Sequence, residues 1–120
     1  MTYKTGRDLV NEAKARIREI SPSDSIALHA SGQGALFIDV REPNEWNLGH
    51  IPGAIHLPRG ILETHIEALA ERDQQIVLYC ASGNRTALAA DTMQQMGYTN
   101  VASLAAGFRG WIEAGGECDG

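Results

Sequence analysis

Two short runs, ALFIDV (residues 35–40) and QIVLYC (residues 75–80), limit the folds open to this chain. Each is apolar almost without interruption and too short for a helix. A strand that is apolar on both faces must be covered on both, which is the mark of a parallel sheet between helices. AIHL (54–57) and NVASL (100–104) read as two further short strands.

The segments between them carry helix signals. Leu9, Val10, Ala13, Ile17 and Ile20 recur at helical spacing, which predicts an amphipathic helix over residues 6–20, with Thr5 and Asp8 forming a capping box. Ser21 then caps a second helix that has Pro22 at its first position and stops at Gly32 or Gly34. Ile61, Leu62, Ile66 and Leu69 mark a third helix, residues 85–96 a fourth ending at Gly97, and FRGWIEAG (108–115) a short last one. Phe108 and Trp111 should pack that last helix on the core. EPNEWNLGHIPGA (42–54) is too rich in Pro and Gly for a long regular element. Short strands alternating with helices give an α/β domain with a mostly parallel sheet.

The 120 residues suffice for one domain, divided here into a helical extension (1–20), a core (21–115) and a tail (116–120). A net charge of −5 argues against nucleic acid or an anionic membrane as the main partner. No apolar stretch approaches the roughly 20 residues of a membrane helix, and residues 1–20 lack the apolar core of a secretory signal. The expectation is a cytoplasmic protein acting on small molecules or proteins. Both cysteines, Cys80 and Cys118, would then be reduced.

Cys80 ends an apolar strand, where α/β folds place their ligand sites. The small residues Ala81, Ser82, Gly83 and Asn84 follow, then Arg85 and a helix. Such a loop can curl until successive N–H groups converge on one point, and the helix adds its positive end there. Donors converging on the sulfur favour the thiolate, the nucleophilic form, and hold an oxyanion or sulfur anion beside it. Arg85 would close this cradle or brace it from behind. The plain alternative is that Cys80 is a small buried apolar side chain.

Three segments together resemble single-domain rhodaneses: FIDVREPNEWNLGHIPGAIHLP (37–58), YCASGNRT (79–86) and GYTNVASLAAGFRGW (97–111). The resemblance covers roughly residues 20–115. It implies an open, mostly parallel five-stranded sheet with helices on both faces. It also implies a thiosulfate sulfurtransferase that needs no cofactor or metal. Cys80 would carry sulfane sulfur as a persulfide from thiosulfate or another persulfide to cyanide or a thiol. Ala81, Ser82, Gly83, Asn84, Arg85 and Arg41 would bind substrate, and Asp39 would brace the loop. Partners would be small sulfur-containing anions and thiols, or a sulfur-accepting protein.

Spacing bears on the alternatives. Related phosphatases carry Cys-x5-Arg, whereas Cys80 and Arg85 form the tighter Cys-x4-Arg, which suits sulfur better than phosphate. A Cys-dependent phosphatase or arsenate reductase is therefore a lesser reading, behind a persulfide relay for a protein partner. Thiosulfate-preferring members often have a basic residue after the cysteine, where this chain has Ala81. Arg59 is a candidate replacement at the pocket mouth, and Cys118 a candidate resolving thiol. Glu45 and Trp46 should order the loop that follows them. His50 is read as structural, since the four histidines lack metal-ligand spacing.

Overall fold

Strand β4 (Ile76–Tyr79) lies at the centre of the structure because both its faces are apolar: all four residues are buried. The computed structural model describes residues 2–120. Its sheet has five strands in the order β1-β5-β4-β2-β3, all parallel. The others are β1 (Arg18–Ile20), β2 (Leu36–Asp39), β3 (Ile55–His56) and β5 (Val101–Leu104). Six helices flank it among the described residues: α1 (Gly6–Arg16), α2 (Pro22–Ser31), α3 (Pro43–Leu48), α4 (Leu62–His65), α5 (Asn84–Gln95) and α6 (Gly107–Glu113). None is long and apolar enough to cross a membrane.

Alternation along the strands divides the core. Ile38, Val40, Ile76, Leu78 and Cys80 face one layer, where they meet Ala89, Ala90 and Met93 of α5 and Leu62 of α4. Phe37, Val77, Tyr79 and Leu104 face the other, against Trp111 of α6. Helix α1 packs outside α5, fixed by a bidentate pair in which Arg16 donates to Asp91 at 2.9 and 2.7 Å.

The helix starts follow the sequence signals. Thr5 and Asp8 make the expected capping box, Ser21 caps α2 with Pro22 in its first turn, and Gly32 ends it at φ +67°. Two expectations are corrected. The first helix stops at Arg16, and residues 18–20 form β1, the edge strand beside β5. Ile17 and Ile20 look like one helical face, but they pack into opposite layers of the core, as residues three apart in extended chain must. The helix expected over 61–69 is one turn of α-helix, α4, between 3-10 turns at Arg59–Ile61 and Ile66–Ala68.

Candidate active site

Cys80 continues the alternation of β4, so its side chain enters the layer under α5 and is 1% exposed. The chain then turns at Gly83, whose φ of +102° needs a residue without a Cβ. That turn brings the Gly83 N–H to 3.0 Å from Cys80 Sγ. Helix α5 begins at the next residue with no side-chain cap, so its first-turn N–H groups face the loop. Cys80 thus lies beside the positive end of a three-turn helix.

The carbonyl side of the loop is fixed from below. Phe108 N–H donates to Cys80 O at 2.7 Å and Arg109 N–H to Ala81 O at 3.3 Å, both from the first turn of α6. A trans peptide points its N–H opposite its C=O, so the Ala81 and Ser82 N–H groups face away from α6. Among the described residues, neither meets a protein acceptor. Gly107 permits this docking: a Cβ there would lie 2.5 Å from Cys80 O and 2.6 Å from Ala81 C and O. The preceding Ala106, at φ +62°, is the one non-glycine residue with positive φ among those described.

One buried hydroxyl lies beside the sulfur and a second supports it. Thr86 Oγ1 is 3.6 Å from Sγ; it donates to Gly83 O at 3.2 Å and accepts from Ser103 at 2.8 Å. Removing the Thr86 hydroxyl strands Ser103 in an apolar layer. Thr86→Val should therefore lose about 1–3 kcal/mol in urea unfolding, and Thr86→Ser should recover most of it.

The cations lie differently from a simple cradle. Arg85 is half-buried and donates through both terminal nitrogens to Glu45, at 2.8 and 2.9 Å. Glu45 also accepts from Glu42 N–H in a capping box at the start of α3. Arg85 thus braces the loop against α3, its charge matched by a carboxylate. That pairing outweighs partial burial and holds the Glu45 carboxyl down to about 2, against an ordinary 4.5. A carboxyl depressed on folding stabilises the fold above its unfolded value and loses that effect as pH falls through the folded one. Allowing for its partial exposure, Glu45→Gln should be about 1 kcal/mol less stable at pH 7. Between pH 4.5 and 2 it should also lose less further stability than the parent chain, as followed by acid unfolding.

Arg41 and Asp39 are on the opposite side of the sheet from Cys80. Arg41 donates to both Asp39 oxygens, at 2.7–3.1 Å, and to Gly49 O at 2.6 Å; the two residues are 5% and 0% exposed. The Arg41 guanidinium lies 4.5 Å from the Phe108 ring centroid. A chain of contacts therefore runs from Asp39 through Arg41 and Phe108 to the Cys80 carbonyl.

Arg59 is not at the pocket mouth. It bonds Glu63 and Thr92, two turns along α5 from the loop. His50 bonds Trp46 O and stacks on the Trp46 indole, and the His56 ring also stacks with that indole, its centroid 4.9 Å away. Cys118 is exposed in the tail, where Asp119 pairs with His50 as an isolated antiparallel bridge; both cysteines are free. Among the described residues, no group of His, Cys, Asp and Glu has metal-holding geometry.

Residues 21–114 match the family described as rhodanese-like domain. A Bacillus subtilis relative with the provisional name of a sulfur carrier protein, YrkF, is 34% identical over 108 residues, covering 90% of this chain. The chain spans only 58% of that relative's length. The thiosulfate sulfurtransferase GlpE of Pseudomonas entomophila is 34% identical over 97 residues, covering 81% of this chain and 86% of that protein. Among solved structures, a Rhodopseudomonas palustris protein of unknown function, described as a possible tyrosine phosphatase, superposes with a TM-score of 0.90 at 37% identity, covering 99% and 97% of the two chains. A rhodanese-related protein from Thermoplasma volcanium gives 0.74 at 33% identity, covering 85% and 97%.

Proposed function

The chain belongs to the rhodanese-like domain family, and on that premise we propose that it is a sulfurtransferase whose sulfur is carried on Cys80. The observation that supports this best is the loop itself. One N–H already meets Sγ at 3.0 Å, and the carbonyls of Cys80 and Ala81 are held against α6, away from the reacting side. The Cys80 thiolate attacks the outer sulfur of a donor such as thiosulfate. The donor's S–S bond breaks, its electron pair leaves on sulfite, and Cys80 becomes a persulfide. The outward N–H groups from Ala81 to Arg85 then hold the terminal sulfur. A nucleophile, cyanide or a thiol, attacks that sulfur and returns Cys80 as thiolate.

No free cation belongs to the loop. Ala81 stands where thiosulfate-preferring rhodaneses often have a basic residue, and Arg85 is paired with Glu45. Within the loop a sulfonate therefore meets backbone dipoles and an Arg85 that is already paired, which favours a persulfide over thiosulfate as donor. The two free thiols accord with a reducing, cytoplasmic setting. The test is to mix the chain with thiosulfate and cyanide, follow thiocyanate, and weigh the intact protein before cyanide is added. Thiocyanate together with one added sulfur on Cys80 is the expected result. Added sulfur without appreciable thiocyanate points instead to a relay, the reading encouraged by the Bacillus relative's name. Hydrolysis of an aryl phosphate without any sulfur transfer would replace both with the phosphatase reading suggested for the Rhodopseudomonas neighbour.

A further inference from the structure

We propose that the groove between α1 and the start of α5 binds the carboxylates of a small thiol that takes sulfur from Cys80; this rests on the sulfur-transfer reading above. The groove has a volume of about 460 Å³, within the size range of small-molecule sites. Val10 and Leu88 form its half-buried apolar floor, and the amides of Asn11 and Asn84 flank them. Arg7 and Lys14 supply positive charge.

Both cations are available. The acids of α1 are engaged elsewhere: Asp8 accepts from Thr5 N–H, and Glu12 pairs with Lys4 at 2.9 Å. Asp91, the acid of α5, is held by Arg16. Among the described residues, Arg7 and Lys14 have no acidic partner. In a chain of net charge −5, this gives an anionic ligand a favourable place by the start of α5.

The groove reaches the first residue of α5. Asn84 follows Gly83, whose N–H touches Cys80 Sγ, and Leu88 lies one helical turn further on. A thiol whose carboxylates lie by Arg7 and Lys14 would extend past Asn84 to reach the loop. The family match begins at residue 21, so α1 adds this wall from outside the matched domain. The step balances without an external oxidant. The bound thiolate attacks the outer persulfide sulfur, a new S–S bond forms, and the old one breaks with its electron pair on Cys80.

Binding is read first without chemistry, using S-methylglutathione, which carries two carboxylates and cannot accept sulfur. Its titration into the isotope-labelled chain should shift the amide signals of Val10, Asn11, Asn84 and Leu88. The shifts should be lost in Arg7→Gln/Lys14→Gln and weakened in Arg7→Gln alone. Absence of shifts at these four amides overturns the groove, whatever the turnover. Transfer is read second, as the ratio of kcat/KM for glutathione to that for 2-mercaptoethanol in each chain. The double variant should lower this ratio about 10-fold by removing two charge contacts, and an unchanged ratio overturns the proposal. A chain that transfers sulfur to nothing yet shows the four shifts counts for the groove and against the sulfurtransferase.

Discussion

Cys80→Ser should fold as the parent does and lose sulfur transfer by about 10⁴-fold or more. The fold should survive because the replacement is nearly isosteric and its hydroxyl inherits polar neighbours, the Gly83 N–H and the Thr86 hydroxyl. No buried polar group is left without a partner, so unfolding should shift by less than about 1 kcal/mol. Chemistry fails for a separate reason. A serine hydroxyl is not deprotonated near neutral pH by backbone dipoles, and oxygen cannot form the disulfane bond that makes sulfur transferable. Thiocyanate release and intact mass after thiosulfate check both halves. Added sulfur in the serine variant would place the carrier elsewhere, with Cys118 the first suspect. Cys118→Ser should therefore be run beside it; Cys118 is exposed in the tail, and its loss should leave transfer intact.

How much of this could be read from sequence depends on whether the cause was local. β2, β4 and β5 announce themselves because burial on both faces forces continuous apolar runs. β1 does not. Its apolar residues are only Ile20 and, just before the strand, Ile17, and their spacing imitates a helix. Cys80 and Gly83 were legible as a turn that aims N–H groups at a sulfur, a matter of neighbouring residues. Thr86 stood in a quoted motif without a role, because its meaning depends on Ser103 arriving from β5. A buried serine within VASL was the available signal. Arg85 was legible as a loop cation, but its pairing with Glu45 is set by where α3 lies. Arg7 and Lys14 looked like ordinary polar positions on an amphipathic helix until α1 was seen to pack beside the loop.

Gly107 is the extreme case, since nothing in AAGF tells its glycine from any other near a helix start. Gly107→Ala should nevertheless be the most damaging single-methyl change near the site. Two terms add. A residue with a Cβ at φ +56° costs about 1–2 kcal/mol. The new Cβ would also lie 2.5 Å from Cys80 O and 2.6 Å from Ala81 C and O, which are backbone atoms without a rotamer to yield. Overpacking of that kind costs about 1–3 kcal/mol more. A loss of roughly 3 kcal/mol corresponds to a Tm lower by about 10 °C or more. Gly53→Ala separates the terms: it has the same sign of φ, at +78°, but nothing within 4 Å. It should lose about 1–2 kcal/mol and keep its sulfur-transfer rate. In Gly107→Ala the clash pushes on the two carbonyls that orient the N–H groups of Ala81 and Ser82. Its rate should therefore fall about 10-fold or more in the fraction still folded. Equal losses of stability and rate in the two alanine variants would mean that contact with α6 does not shape the loop.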